Sequence, residues 1–482
     1  MGRKLASVAV ASGLALGPLG AGANGFENEY PDNGARALGR AGAFAARADD
    51  PTAIYYNPAG LGRQKGFSLL LSSNVVSLTH EFEAADDVVS RRSRDLGAIS
   101  QEHPASFGPM FAGHFDIEGL DDFDFGFGVY GPSSTMLKQY PDQIPVNGVG
   151  SATTPDDNIV NWLRPNGMLV EAQMLLAYPT VSVAYQVLDE LRLGLSLQAA
   201  IMQATLTKSF GPPVPALAEL SFTDWFTPTA IIGVHYAPVP WLEIGASVRP
   251  GFQIEAKGKA RIDTYEGTGP NGEGPFIPTG EPIELLDANG QPDDGLDFTY
   301  NHPLVARGAV RFVQPTWDVE LDYVFQQNSR HEAFTVDFHA AEALVTAANF
   351  QSPVPTVTDV RKYEDTHEVR LGGDYQVLPG IFAVRAGGAY ATGASPTNYT
   401  NLDFPALDRW SAHAGFGINA QRIGLEFDIG YAYVGMVERE VTDSQTTLID
   451  ITKPNGIGAP VGNGTFSGHY HIFGASALWH VW

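Results

Sequence analysis

The chain has 482 residues and no cysteine, and its 54 acidic residues outnumber its 29 lysines and arginines, which gives a formal net charge of −25 at pH 7. This balance argues against a nucleic-acid partner, because the phosphate backbone attracts a basic surface. The absence of cysteine excludes disulfides, thiol catalysis and thiolate metal sites.

Residues 1–23 have the organisation of a secretory signal peptide. Arg3 and Lys4 precede an apolar run, and Ala21-Gly22-Ala23 has the small-x-small form of a cleavage site. The apolar run is too short for a transmembrane anchor, and no later stretch approaches the roughly 20 apolar residues of a membrane helix. We therefore expect an exported chain that is soluble, extracellular or a membrane β-barrel.

Residues 24–65 differ in composition from the rest of the chain. Glycine and alanine dominate, arginines interrupt them, and two motifs follow, Asp49-Asp50-Pro51 and Tyr55-Tyr56-Asn57-Pro58-Ala59-Gly60. A segment this short cannot bury enough apolar surface to fold alone. Its small side chains predict close packing inside another structure.

From residue 66 onward the hydrophobic pattern has a period of two, as in Glu320–Phe325 and Leu425–Tyr433. Apolar and aromatic side chains take one face, and acidic and small side chains take the other, which indicates β-strands. About fourteen such segments are predicted, at 66–83, 105–117, 123–131, 171–187, 191–208, 221–237, 241–257, 297–313, 316–331, 364–377, 381–392, 409–419, 422–437 and 466–482.

Short and long connections alternate between these strands. Outer-membrane barrels have this arrangement, with short periplasmic turns and long outer loops. The sequence therefore predicts an all-β fold, a transmembrane antiparallel β-barrel of about 14 strands over residues 66–482, with residues 24–65 as a plug that enters from the periplasmic side. The final strand ends in Trp482 and resembles the C-terminal assembly signal of bacterial outer-membrane proteins, although His480 stands where that signal usually has an aromatic residue.

Signal peptide, Gly/Ala segment, aromatic-Asn-Pro-Ala motif and alternating strands together resemble the FadL family of outer-membrane transporters, which carry long-chain fatty acids and, in some members, aromatic hydrocarbons. The local match covers residues 24–66, and the rest of the chain matches in architecture. The resemblance implies a fourteen-stranded barrel, an N-terminal hatch inside it, and a kinked third strand that opens a hole in the wall.

Several hatch residues are candidates for gating or for holding the hatch in place. Pro58 fixes its own φ and keeps Asn57 out of the helical region, so Asn57-Pro58-Ala59 predicts a rigid turn that either takes part in gating or only joins the hatch to the first strand. For Asp49 and Asp50 we expect pairing with Arg36, Arg40, Arg47 or an arginine of the wall, because buried charges need partners.

Three further sets of candidate residues lie in the barrel. Gly131 allows a sharp bend and Pro132 lacks the N–H that a strand ladder needs, so these residues either only begin the long loop or form the kink and lateral opening that the resemblance implies. The long segment 132–170 is unusually apolar and predicts an outer groove for ligand, lined by Trp162, Leu163, Met168, Leu137 and Tyr140. Inward charges predict a lumenal lattice that anchors the hatch or binds a carboxylate, formed by Arg307, Arg311, Arg370, Arg385, Glu426 and Asp428.

The sequence thus predicts passive uptake of hydrophobic small molecules, fatty acids or hydrocarbons, through the lipopolysaccharide-covered outer membrane of a Gram-negative bacterium. We expect a monomer without metal or cofactor, and no enzyme activity. Two alternatives stay open at this stage, an open porin for polar solutes and an outer-membrane lipid hydrolase.

Overall fold

The computed structural model describes residues 33–85, 99–100, 105–131, 136–140, 169–210, 216–264, 282–345, 350–354, 356–449, 457–460 and 462–481. The predicted signal peptide, the first part of the predicted hatch (24–32), and the predicted site residues Pro132, Trp162, Leu163 and Met168 lie outside the described residues.

Short helices come first, and strands make up most of the remaining structure. The helices are α1 (Ala35–Leu38) and α2 (Ala53–Tyr56), and 3-10 turns span Pro58–Arg63, Asn328–Arg330, Thr397–Tyr399 and Gln421–Ile423. The first strands are β1 (Ser68–Ala84), β2 (Ile99–Ser100), β3 (Ser106–Asp116), β4 (Phe123–Tyr130), β5 (Met136–Gln139), β6 (Leu169–Leu188), β7 (Leu191–Phe210), β8 (Ala216–Val239), β9 (Leu242–Arg249), β10 (Phe252–Thr264), β11 (Glu284–Leu286), β12 (Gly295–His302) and β13 (Val305–Val313). The later strands are β14 (Trp317–Gln326), β15 (Ala333–Phe338), β16 (Glu342–Val345), β17 (Phe350–Pro353), β18 (Val357–Val360), β19 (Thr366–Leu378), β20 (Phe382–Ala391), β21 (Arg409–Ala420), β22 (Leu425–Met436), β23 (Arg439–Val441), β24 (Thr447–Ile449), β25 (Ile457–Pro460) and β26 (Gly464–His480).

The strands form a closed antiparallel barrel of 14 strands, as predicted. Closure comes from β1 and β26, which pair along the whole of β1 from Ser68 to Ala84. Several barrel strands consist of two pieces in line, namely β4 with β5, β9 with β10, β12 with β13, β14 with β15, β18 with β19 and β22 with β23. The pieces β11, β16 and β17 form a separate small sheet, and β24 pairs with β25.

Two strands that the sequence predicts as continuous are interrupted. The predicted strand 241–257 divides into β9 and β10 around Pro250, and the predicted strand 297–313 divides into β12 and β13 around Pro303. Proline cannot donate to a ladder, so the ladder is interrupted at each proline. The register stays the same on both sides of Pro250: β8 pairs with β9 at Ile232–Val248 and with β10 at Thr223–Lys257.

The wall has the polarity of a barrel surrounded by lipid. Along β14, Val319 and Leu321 are 39% and 51% exposed, whereas Asp318, Glu320 and Asp322 alternate with them and are buried. A protein dissolved in water places these side chains the other way round, while an outer-membrane barrel turns apolar residues outward and polar residues inward.

Exposed aromatic side chains gather near the two ends of the wall, as expected at membrane–water interfaces. Near the short turns they are Phe123, Tyr185, Tyr236, Trp241, Trp317, Tyr375 and Trp479, and toward the long loops they are Trp225, Phe226, Tyr323, Tyr390 and Trp410. In the described ranges, no helix is both long and apolar enough to span a membrane.

Leu321→Arg tests whether the outer face contacts lipid. The change should lower the free energy of unfolding in bilayers by about 2–4 kcal/mol, the cost of a cation near the midplane on the lipid side of a barrel. Leu120→Arg is the matched control, because Leu120 is similarly exposed, at 44%, but lies in a short turn. Equal, small effects of both changes in denaturant titrations would show that Leu321 faces water.

Candidate functional site: the barrel interior

The N-terminal segment, residues 33–66, lies inside the barrel in the half near the short turns. Its helices and the turn between them are almost entirely buried. Wall side chains hold its backbone: the hydroxyl of Ser196 donates to the carbonyl of Ile54 at 2.9 Å, and that of Ser247 donates to the carbonyl of Tyr56 at 2.7 Å. The segment therefore packs against the inner face as a fitted part of the barrel.

Inward-facing glycines bring the wall into contact with the backbone of the N-terminal segment. A Cβ at Gly372 would lie 2.1 Å from the carbonyl oxygen of Arg40, and one at Gly245 would lie 2.3 Å from that of Ala45. Real side chains do not tolerate such distances, so only glycine fits there. This close approach is the packing that the small residues of the segment predict.

Arg40 is the central ionic contact between the N-terminal segment and the wall. Its buried guanidinium donates to Asp318 and Asp374 at 2.7 Å and to Glu320 at 3.2 Å. It also donates to the carbonyl of Ala43 at 2.8 Å. Because one cation satisfies carboxylates on two strands, β14 and β19, the segment and the wall complete each other's buried charges.

The same strand β14 also binds backbone N–H groups of the N-terminal segment. The amides of Phe44 and Ala45 both donate to Asp322 at 3.1 Å, and that of Ala46 donates to Glu320 at 2.7 Å. These amides belong to a turn that has no ladder of its own, so the wall carboxylates replace the missing backbone acceptors.

The predicted lumenal charge lattice divides into separate contacts. Arg311 donates to Glu243 at 2.7 Å and to Asp318 at 3.1 Å. Arg385 contacts Asp374 at 2.9 Å and Asp428 at 2.6 Å. Both arginines thus share their carboxylates with Arg40 or its neighbours, which places them around the N-terminal segment.

Of the other predicted lattice residues, Arg370 and Arg307 also contact the N-terminal segment. Arg370 pairs with Glu368 at 2.9 Å and also donates to the carbonyl of Gly42 at 3.3 Å. Arg307 lies over the ring of Tyr55, 4.7 Å from its centroid. The carboxylate of Glu426 lies 3.0 Å from His480 in the last strand.

Asp49 and Asp50 contact arginines of the N-terminal segment itself. Asp49 lies 3.4 Å from Arg36 and 3.1 Å from Arg47, and Asp50 accepts from the amide and hydroxyl of Thr52. Burial opposes ionisation of Asp49, yet Arg36 and Arg47 hold its pKa well below the usual value. Burial raises the pKa of Asp50. Of the predicted partners, Arg36 and Arg47 are thus the ones that contact Asp49, whereas Arg40 binds the wall.

Asn57 forms the rigid turn and joins it to the wall. Its side-chain oxygen accepts from the amide of Ala59 at 3.2 Å, and Pro58 follows as the first residue of a 3-10 turn. Its side-chain nitrogen donates to the carbonyl of Ala45 at 2.8 Å and to that of Val234 in β8 at 2.9 Å. These hydrogen bonds fix the turn to the wall. A role of the turn in gating stays a prediction.

The third barrel strand leaves its neighbour at Gly131. The ladder between β3 and β4 ends at the pair Phe111–Val129, whereas β3 continues to Ser106 in register with β1. The third strand resumes as β5, which pairs with β6 on its other side. Gly131 is described and follows directly on β4, while Pro132 is not among the described residues.

An apolar pocket lies above the N-terminal segment, in the half near the long loops. The empty space among its lining residues, including the part that is open to solvent, measures about 580 Å³. Its lining is aliphatic and aromatic with one lysine and one aspartate, namely Leu169, Leu206, Lys208, Leu220, Phe298, Phe334, Val336, Phe338, Val357, Asp359 and Phe404. Most binding sites for small apolar molecules have such a lining.

One side of the pocket is formed by the inner loop, residues 392–408, which the sequence predicts only as a long outer connection. Leu402 and Phe404 are buried, and Phe404 lines the pocket. Lys138 donates to the carbonyl of Asp403 at 2.9 Å, and the hydroxyl of Tyr140 donates to that of Leu402 at 3.2 Å. The loop therefore folds into the barrel.

Charged groups at the edge of the pocket form one cluster. The ammonium of Lys208 lies 2.8 Å from Asp359 and 2.7 Å from Asp403. Arg361 contacts the same two carboxylates at 2.5 and 3.4 Å, and its guanidinium lies over the ring of Phe334, 5.2 Å from the centroid.

A chain of aromatic rings connects the pocket with the third strand. It leads from Phe334 to Tyr300, His302, Phe252, Tyr178 and Tyr130, with centroid separations of 5.8, 5.9, 4.6, 6.5 and 5.6 Å. Tyr130 directly precedes Gly131, and its ring also contacts Tyr55 of the N-terminal segment at 5.2 Å.

The sequence predicts Leu137 and Tyr140 as ligand contacts, and neither is among the described residues that line this pocket. The lining residues Lys208, Asp359 and Phe404 are not among the predicted site residues. The apolar residues of the inner loop were the available signal, because a solvated loop has no use for them. Within the described ranges no group of three or more His, Asp or Glu side chains is placed to hold a metal ion.

Comparisons with known proteins give one family. A family model described as outer membrane protein transport protein (OMPP1/FadL/TodX) matches residues 168–477. Curated protein sequences give no match.

Solved structures show the same fold at low identity. A FadL homologue of Pseudomonas aeruginosa is 15% identical, with a TM-score of 0.69 over 94% of this chain and 99% of that chain. The toluene transporter TodX of Pseudomonas putida is 13% identical, with a TM-score of 0.63 over 94% and 98% of the two chains. The toluene transporter TbuX of Ralstonia pickettii is 16% identical, with a TM-score of 0.59 over 94% and 99%.

Gly372→Ala tests the fit between wall and N-terminal segment. The added methyl would overlap the backbone of Arg40, so we expect the free energy of unfolding to fall by about 1–3 kcal/mol, the usual cost of overpacking. Gly308→Ala is the control, because nothing lies within 4 Å of its Cβ position. Equal stability of the two variants in denaturant titrations would mean that the segment does not press against Gly372.

Proposed function

Because the chain belongs to the outer-membrane transport protein family of FadL and TodX, we propose that it carries hydrophobic molecules inward by passive diffusion, from an apolar pocket to an opening in the barrel wall. The family places it in the outer membrane of a Gram-negative bacterium as an integral protein. The outer leaflet there consists of lipopolysaccharide, which blocks apolar molecules. The observation that most strongly supports this proposal is the apolar pocket. A chain of aromatic rings leads from it to the break in the third strand.

The N-terminal segment acts in this proposal as a hatch that closes the direct path to the periplasm. It occupies the half near the short turns, where Arg40 and the wall carboxylates surround it. An apolar molecule gains nothing by entering this charged region, since its own surface would have to displace paired ions. The filled lumen also argues against an open porin for polar solutes.

The exit follows from the pairing of the third strand. Above Phe111 and Val129 the ladder between β3 and β4 ends, although both strands lie within the wall. Unpaired backbone is costly in lipid, so a gap there must be lined by protein, water or ligand. Tyr130, the last ring of the aromatic chain, lies directly beside this point.

A lipid hydrolase is the weaker alternative. Ser411 and His413 lie 2.9 Å apart inside the barrel. The other ring nitrogen of His413, however, contacts the carbonyl of Leu38 at 2.7 Å, in the place where a catalytic triad has a carboxylate. The family and the similar solved structures are transport proteins.

Closing the wall should stop uptake. In register with the end of the ladder, Pro109 stands opposite Gly131, and the chain contains no cysteine of its own. We expect the double variant Pro109→Cys and Gly131→Cys, once oxidised, to lose uptake of labelled toluene or long-chain fatty acid in a Gram-negative host without other transporters of this type. Reduction with dithiothreitol should restore it.

Each single cysteine variant serves as a control, because it carries one of the two substitutions and cannot form the cross-link. Formation of the disulfide is checked by mass spectrometry before uptake is measured. Undiminished uptake through a fully oxidised wall would contradict the lateral route and favour passage down through the hatch.

A further inference from the structure

We propose that the pocket is specific for uncharged hydrophobic molecules and that Asp403 determines this specificity by occupying the cations that a carboxylate ligand would need. This inference rests on the proposed function, because it assumes that the pocket receives the transported molecule. It separates the two substrate classes, fatty acids and hydrocarbons, that the family resemblance leaves open.

The lining of the pocket is unfavourable for a charged ligand. Apart from Lys208 and Asp359, the lining side chains are Leu, Val and Phe. A carboxylate transferred from water into such surroundings loses its hydration, and the loss is large unless a cation or several hydrogen bonds replace it. Within the lining, Lys208 is the cation that could do so.

Lys208 already has two carboxylate partners. Its ammonium contacts Asp359 at 2.8 Å and Asp403 at 2.7 Å. An ammonium has three protons to donate, and the two carboxylates already balance the charges of Lys208 and of Arg361, which contacts the same pair. A third carboxylate would approach two like charges at close range, which is unfavourable in a site of low dielectric constant.

The second cation of the cluster is engaged in the same way. Arg361 contacts Asp359 at 2.5 Å and donates to Asn401 at 2.5 Å, and its guanidinium lies over Phe334 and Phe404. Lys138 is also near, but its ammonium donates to the carbonyl of Asp403 and lies over the ring of Phe404, 5.0 Å from the centroid. Lys138 and Arg361 do not belong to the lining of the pocket.

Asp403 is fixed in this position by further contacts. Its Oδ1 accepts from the backbone amide of Leu169 at 2.7 Å, while its Oδ2 contacts Lys208. The inner loop therefore supplies the carboxylate as a permanent part of the site, next to Phe404, which contributes apolar lining. One loop in this way provides both the apolar contact and the exclusion of a charged head group.

The test compares two ligands that share one apolar body, ethylbenzene and 3-phenylpropanoate. Binding of each labelled compound to the purified full-length chain is measured at pH 7 by equilibrium dialysis in detergent, with the detergent background subtracted. The parent should bind ethylbenzene more tightly than 3-phenylpropanoate. Asp403→Asn keeps the side-chain shape and the acceptor for Leu169 but removes a negative charge. It should raise the affinity for 3-phenylpropanoate by roughly tenfold or more and leave that for ethylbenzene nearly unchanged.

Two further variants make the outcome decisive. Asp359→Asn releases the same lysine from its other partner, so it should also raise carboxylate binding. It takes the place of Asp403→Asn if that variant does not assemble. Asp297→Asn is the control, since Asp297 is an exposed carboxylate beside His339, on the opposite face of β12 from the lining residue Phe298, and it should change neither affinity.

The results separate this inference from the function on which it rests. Equal binding of both ligands by the parent, or no gain of carboxylate binding in the two Asn variants, overturns the specificity and leaves hydrophobic transport standing. Failure of the parent to bind either ligand overturns the pocket as a transport site and the specificity with it.

Discussion

The packing of the barrel interior depends on the ion pairs of Arg40. Its guanidinium is fully buried and contacts Asp318, Glu320 and Asp374, carboxylates of two different barrel strands. Removing one partner from such a cluster leaves uncompensated buried charge, at a cost of about 3–5 kcal/mol in comparable sites. The N-terminal segment and the wall therefore form one electrostatic unit, and neither has a fully paired interior without the other.

This unit divides the barrel into two regions with different chemistry. The half near the short turns holds paired charges and a tightly packed backbone, with glycines of the wall against the N-terminal segment. The half near the long loops holds the apolar pocket, closed on one side by the inner loop. An apolar molecule is stabilised in the second region and excluded from the first, and this contrast is what turns the proposed path sideways toward Gly131.

The sequence predicts most of the barrel because its signals are local. Alternation with a period of two identifies the strands, and the alternating loop lengths give the number and direction of the crossings. The interruptions at Pro250 and Pro303 follow from the missing N–H of proline, yet the periodic pattern continues through them because the register is the same on both sides.

The pocket could not be predicted in the same way. Lys208, Asp359 and Asp403 are distant in the sequence, and no spacing rule brings them together. The inner loop was expected outside the barrel, although its apolar residues Leu402 and Phe404 indicated burial. Of the arginines in the N-terminal segment, no pattern distinguished Arg40, which binds the wall, from Arg36, which pairs with Asp49.

The most direct test of the account is the electrical conductance of single molecules in planar bilayers, compared between the parent and a variant that lacks residues 24–53. Barrel strands satisfy their own backbone hydrogen bonds, so the variant should assemble, and the vacated charged lumen should conduct small ions where the parent does not. A correctly assembled variant with the low conductance of the parent would contradict the claim that the N-terminal segment closes the barrel.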